Sequence, residues 1–324
     1  MNSRLYYLSE IYHNRPGSQT IHAFNRSLTK AGVPAVQHHP SEYVTNLARQ
    51  ANDKGWGRNF FQRKGHAYIV AMMWPKVARL LPIGCWAEVI PLCFDCWPQD
   101  YQLWENIFRR FRVKTAFFTA RQSAAYFQKK IGGMHCFWLP EAADPTEYSP
   151  DIPLKERDVD VLELGRRSEL YHDAIAESLQ TRGYTHLYVQ GKKRMFPTRE
   201  ELMATWRQTK ISICFPKAVT DLERSGGVET VTFRYFESMS SKCLIVGHCP
   251  QELQDILGYN PVIEIDSADY SGQLLNILAD IEQGKYQDLV DKNYQQMFKI
   301  GSWDARVQDM LGLLAEQGYC LETA

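Results

Sequence analysis

Two carboxylates with an arginine between them, Glu229, Arg234 and Glu237, are the residues of this chain best suited to chemistry. They lie in the run Gly226-Gly227-Val228-Glu229-Thr230-Val231-Thr232-Phe233-Arg234-Tyr235-Phe236-Glu237. An apolar strand pattern over 211–215 precedes the run and another over 243–247 follows it. That order puts the run at the carboxyl edge of a parallel sheet, where doubly wound folds hold ligands. Three positions apart on a helix, Arg234 and Glu237 share a face. Glu229 falls at or before the helix start, where unpaired amides attract phosphate. Carboxylates can hold sugar hydroxyls while a base and a helix N-terminus hold a pyrophosphate. The group therefore reads as a nucleotide-sugar site.

Other basic groups occupy similar places. Arg166 and Arg167 follow a strand pattern over 159–164 through Gly165, and Lys217 follows the 211–215 strand. Any one of them alone is an ordinary surface base. Strand-end or loop placement of Arg166, Lys217 and Arg234 in one domain points toward phosphate. In the N-terminal half, His13 and Gly17 follow the first strand, Trp74 follows a strand over 67–73, and Asp95 and Trp97 follow one over 87–94. These are the candidates for acceptor contacts. Tyr12, Trp74 and Trp97 would wall a pocket for a small aglycone or a sugar ring.

Several motifs exclude chemistry. Arg15-Pro16-Gly17-Ser18 has one glycine where a dinucleotide fingerprint needs three, and no P-loop is present. Cys93-Phe94-Asp95-Cys96 has redox or zinc spacing but no second ligand pair, so its cysteines read as structural. Asp158-Val159-Asp160 resembles a metal-binding pair yet opens its strand at the end away from ligands. With no carboxylate cluster for Mg²⁺ or Mn²⁺, neither a metal nor a cofactor is expected, and bases must neutralise any diphosphate. His38-His39-Pro40 is assigned nothing.

The elements that position these residues alternate along the chain. Strand patterns cover 4–9, 33–37, 67–73, 87–94, 114–119 and 136–140, with helical patterns over 18–30, 102–111 and 121–130. Four prolines with many acids over 140–157 read as an inter-domain linker. The rhythm resumes with strands over 159–164, 186–190, 211–215, 243–247 and 261–265. Helices over 168–180, 198–208, 250–257, 270–283, 286–298 and 303–317 alternate with them. The expected fold class is α/β, two doubly wound domains facing across a cleft. Residues 1–150 would form an acceptor-side domain, 151–302 a nucleotide-sugar domain, and 303–324 a helix crossing back to the first.

Composition agrees with such a protein. Net charge is zero, but residues 1–150 carry 18 Lys and Arg against 10 Asp and Glu, and the remainder 19 against 27. The basic half admits an anionic acceptor or a membrane surface, the latter disfavoured without an amphipathic anchor. The run Arg109-Arg110-Phe111-Arg112-Val113-Lys114 reads as a solvated helix end entering a buried strand. No nucleic-acid partner is indicated. Eight scattered cysteines and the lack of a signal-like start or a long apolar run suit a cytoplasmic location.

With these residues in view, the chain resembles the retaining glycosyltransferases of the two-Rossmann-domain (GT-B) type, family 4 in particular. Glu229 and Glu237 match that family's Glu-x7-Glu spacing, with a helix and the strand over 243–247 after it. Trp138-Leu139-Pro140, Asp144 and Tyr148-Ser149-Pro150 resemble its inter-domain segment, and Asp160-Val161-Leu162-Glu163-Leu164-Gly165-Arg166 its first C-terminal-domain strand. The closing helix is similar as well. The resemblance covers about half the chain, mostly after Lys114. It implies that Glu229 contacts the donor sugar and Glu237 the nucleotide ribose. Glu229, Lys217 and Arg166 would be catalytic, while Gly165, Gly227, Val228, Thr230, Arg234 and Glu237 would bind the donor, UDP-sugar being favoured. Retention would need no protein nucleophile, since the leaving diphosphate takes the acceptor's proton. Departures are visible. Tyr171 and His172 stand where the family carries a phosphate lysine, leaving Lys217 as its replacement, and Thr230-Val231 replace the usual Phe-Gly. Arg234-Tyr235-Phe236-Glu237 is similar to a divergent subset with Arg-x-x-Glu. The acceptor is expected to be a small molecule or glycan. A nucleotide-sugar epimerase and a non-catalytic binding protein on the same scaffold are the alternatives.

Overall fold

A computed structural model describes residues 3–9, 18–37, 41–53, 65–190 and 195–321. His13 and Gly17, with the rest of the loop after the first strand and His38-His39-Pro40, lie outside the described residues. The chain divides into two compact units, the first built from 1–140, 224–228 and 303–324 and the second from 141–223 and 229–302.

The first unit contains β1 (Ser3–Ser9), β2 (Ala35–Gln37), β3 (His66–Met72), β4 (Glu88–Cys93), β5 (Thr115–Phe118) and β6 (His135–Trp138). The second contains β7 (Val159–Glu163), β8 (His186–Tyr188), β9 (Thr209–Cys214), β10 (Leu244–Gly247) and β11 (Val262–Glu264). A last short strand, β12 (Tyr319–Cys320), belongs to the first unit. There the order is β12-β1-β3-β4-β5-β6, with β2 also paired to β1. In the second unit it is β8-β7-β9-β10-β11, again parallel throughout. Growth of that sheet reverses between β7 and β9, so their carboxyl ends form the switch point at which such sheets bind ligands.

Helix cover on both faces explains why these strands read as continuous apolar runs. All six residues of β9 are buried. Ile211 and Ile213 face a cluster with Val161, Tyr171 and Leu274. Cys214 faces the opposite cluster with Trp206, Tyr235 and Phe236.

Residues 141–150, expected with the first domain, pack with the second, so the division falls after Pro140. Buried Ala143 and Tyr148 draw them there, and Ala143 forms a bridge with Ser302. A helix over Glu42–Asp53 has no counterpart among the expected elements. Its apolar residues Tyr43, Val44 and Leu47 fall at helical spacing, a readable pattern that the sequence reading passed over, and all three are exposed. Among the described residues, no helix is long and apolar enough to cross a membrane.

Helix Trp303–Glu316 returns to the first unit. Its Trp303 is 1 % exposed and meets Phe24 edge-on, ring centroids 5.3 Å apart. The next residue, Asp304, accepts from Ser27 Oγ at 2.7 Å and pairs with exposed Lys30. Packing outweighs charge at this junction. Trp303→Ala is expected to lower stability by about 3–5 kcal/mol, and Lys30→Gln by less than about 1 kcal/mol. Urea unfolding of the two variants checks this, and similar losses would contradict it.

Candidate functional site

Helix Phe233–Ser240 carries Arg234 and Glu237 into the second unit's sheet edge. Glu237 is 3 % exposed, and a carboxylate so placed requires partners. Arg234 Nη1 donates to its Oε2 at 2.6 Å and the Tyr148 hydroxyl to its Oε1 at 3.2 Å. Burial still holds the Glu237 carboxyl above its usual value, with the Arg234 charge opposing the rise. Arg234 lies over the Trp206 ring at 5.6 Å. Its Nη2 also comes within 3.4 Å of where a Cβ on Gly165 would stand. Gly165 has φ +89°, a left-handed value that glycine adopts without strain. The Gly165 turn after β7 and the Arg234–Glu237 pair therefore lie together. Arg166 extends into solvent from that turn, while Arg167 turns aside to pair with Glu169 at 2.8 Å.

One expectation fails. The helix begins at Phe233, beyond Glu229, and its first amide is not open to phosphate. Phe233 N donates to Glu141 Oε2 at 2.9 Å, a carboxylate from a distant part of the chain. A negative charge at that helix start satisfies it electrostatically and would repel a pyrophosphate there.

Glu229 is partly exposed, at 31 % of its side chain. Its Oε2 accepts from Gln251 N at 3.2 Å and its Oε1 lies 3.4 Å from His248 Nε2. His248 Nδ1 in turn lies 3.4 Å from Glu264 Oε2. Glu264 is fixed through its other oxygen, which accepts from Cys249 N at 2.8 Å. The histidine backbone is held by the Tyr235 hydroxyl, which donates to His248 O at 2.6 Å. Gly247, just before it, has φ +149°, and a Cβ there would stand 2.0 Å from Cys214 O. Only glycine lets β10 end so close to β9. His248 and Glu264 were missed in the sequence, although a histidine directly after a strand of this sheet is a readable signal.

Lys217 opens a one-turn helix, Lys217–Thr220, directly after β9. It is 7 % exposed and pairs with Asp221 at 3.6 Å. Thr230 is also buried. Gly227 and Val228 group with the first unit instead. Val228 packs with Trp97 and Ala120, and Trp97 is 1 % exposed. Neither Val228 nor Trp97 presents its side chain to a ligand, because each fills the other's apolar surroundings. Asp95, just past β4, has φ 45°. Trp74 is 49 % exposed, with Lys76 Nζ at 6.0 Å and Arg224 Cζ at 5.9 Å from its ring.

The sequence's decoys have structural roles. Asp160 accepts from Thr185 N and pairs with Lys210, both at 2.9 Å. Cys93 and Cys96 are free, buried thiols, which burial holds far above their usual range.

No protein-family model and no curated protein matches the chain. Solved structures do match it along nearly its whole length. Sucrose-phosphate synthase from Thermosynechococcus elongatus is 12 % identical with a TM-score of 0.58, over 97 % of this chain and 99 % of that one. Anabaena HepE, solved in complex with UDP and glucose, is 9 % identical with a TM-score of 0.58, over 97 % and 100 %. A trehalose 6-phosphate synthase from Burkholderia multivorans is 12 % identical with a TM-score of 0.54, over 98 % and 97 %. The fold is that of the GT-B glycosyltransferases. That agrees with the α/β, two-unit reading of the sequence.

The two glutamates differ in what their loss would do. Glu237→Ala leaves Arg234 without its buried carboxylate and should cost about 3–5 kcal/mol of stability. Glu229→Ala, at a half-open position, should cost no more than about 1 kcal/mol. Thermal unfolding of both variants checks this. A Glu229 loss as large as that of Glu237 would show that both carboxylates are structural.

Proposed function

We propose that this chain is a glycosyltransferase that moves a sugar from a nucleoside-diphosphate donor, UDP-sugar foremost, to a small-molecule or glycan acceptor with retention. The observation that carries the reading is the approach of Arg234 to the Gly165 turn after β7, the turn that also carries Arg166, at the β7/β9 switch point. Partly exposed Glu229 lies on the same sheet edge, past β9 and beside His248 after β10. In this reading Glu229 bonds donor-sugar hydroxyls, while Glu237 fixes Arg234 in addition to any ribose contact. Arg166, Arg234 and Lys217 stabilise the departing diphosphate, which accepts the acceptor's proton on the same face. Fixed charges of this kind contribute most where water is excluded. Neither a metal nor a cofactor takes part in the step. On the acceptor side, Trp74 and Asp95 are the contact candidates. The first unit also holds a cavity of about 370 Å³ lined by Arg49, Lys76, Val77, Ala78 and Arg110, which suits an anionic group. We place the enzyme in the cytoplasm.

A second reading, a nucleotide-sugar epimerase, gains from His248, an imidazole 3.4 Å from Glu229 that could move a proton near the sugar. Donor alone separates the two. Isomerised nucleotide sugar without acceptor would favour the epimerase, and transfer with the anomeric configuration kept would favour the transferase. Failure of UDP and of a nucleotide-sugar panel to bind would leave a non-catalytic scaffold.

Arg166→Ala tests the donor site at an exposed side chain. Calorimetry should show UDP affinity reduced about tenfold, roughly 1.4 kcal/mol. Turnover should fall about 100-fold through loss of one charge stabilising the leaving group, with an unchanged melting temperature. Unchanged UDP affinity would remove Arg166 from the site.

A further inference from the structure

We propose that Glu163, His172 and His186 form a binding site for one zinc-class divalent cation, a structural centre separate from the chemistry assigned to Glu229 and Arg166. Strand pairing sets Val161 opposite His186 and Glu163 opposite Tyr188, so Glu163 and His186 lie on one sheet face. Helix Glu169–Thr181 covers that face and brings His172 down onto it. One carboxylate oxygen, Oε2, lies 2.9 Å from His172 Nδ1, and the other, Oε1, lies 3.5 Å from His186 Nε2. The three ligand atoms stand within 4.8 Å of one another.

Burial makes this more than an ordinary surface cluster. The three side chains are 3 %, 9 % and 7 % exposed. Glu163 Oε1 and His186 Nε2 face each other, yet neither has a hydrogen-bond partner. Two such atoms out of water are costly unless something between them takes their lone pairs. The carboxylate turns one oxygen toward each imidazole, so a single ion with bonds of about 2.0–2.1 Å would be reached from this arrangement by small side-chain shifts.

The donor set selects the ion. Two imidazoles and one carboxylate suit zinc and its neighbours, while Mg²⁺ and Ca²⁺ demand oxygen ligands. His172 binds through Nδ1 and His186 through Nε2, each deprotonated at that nitrogen. Tyr188 closes the cluster, its ring 4.5 Å from that of His172 and 4.8 Å from that of His186. The metal ties β7, β8 and the covering helix together just before the turn that carries Arg166.

The test uses tag-free full-length protein, stripped with chelator and titrated with Zn²⁺ by calorimetry and thermal unfolding. One zinc per chain and a melting temperature that rises with zinc are expected. Both effects should be lost in His186→Gln and in Glu163→Gln. Should those variants fail to fold, X-ray absorption of Co²⁺-loaded wild type replaces them. A shell of two imidazoles and oxygen ligands then supports the site, and any other shell overturns it. The absence of a zinc-dependent shift in wild type, or equal binding by folded His186→Gln, would also overturn it and leave a hydrogen-bonded Glu–His network only.

Discussion

The second unit is organised around a carboxylate that cannot be left alone. Glu237 sits on a helix packed into the sheet, where an unpaired charge would be strongly destabilising. Arg234 answers it from the preceding turn of that helix and Tyr148 from the segment entering the unit. Each partner brings a further requirement. Arg234 lies against the turn after β7, where Gly165 takes a left-handed φ that glycine adopts without strain. Tyr148 draws residues 141–150 into this unit, and Glu141 in the same segment caps the helix that presents Arg234. One buried charge thus links the segment's entry, the β7 turn and the helix start.

That arrangement divides labour between two glutamates that look alike in sequence. Glu237 is consumed by structure, and its charge holds Arg234 in place. Glu229 keeps a partly exposed carboxylate, oriented by His248 and the Gln251 amide. The first amide of the helix, which could otherwise attract an anion, is taken by Glu141. The positive charge must then come from side chains, and exposed Arg166 is the first of them.

Much of this was legible in the sequence because parallel strands buried on both faces leave continuous apolar runs, as over β9 and β10. The strand-end placement of Gly165, Arg166 and Lys217 follows from those runs alone. What periodicity could not reveal is pairing across long separations. Nothing near Phe233 announces that Glu141 caps it, and nothing near Trp97 announces that Val228 covers it. His248 with Glu264, and Glu163 with His172 and His186, assemble from separate strands and a helix. Only the order of the sheet decides such neighbours. The helix over Glu42–Asp53 is a different case, since Tyr43, Val44 and Leu47 do repeat at helical spacing and the pattern was simply not read.

The account stands or falls on where a nucleotide diphosphate binds. A crystal structure of the chain with UDP measures this directly. The diphosphate is predicted at the turn after β7, within reach of Arg166 and Arg234, with Glu229 facing the position of the departing sugar. UDP bound away from the carboxyl ends of β7 and β9, or at the start of helix Phe233–Ser240 with Glu141 displaced, would contradict it.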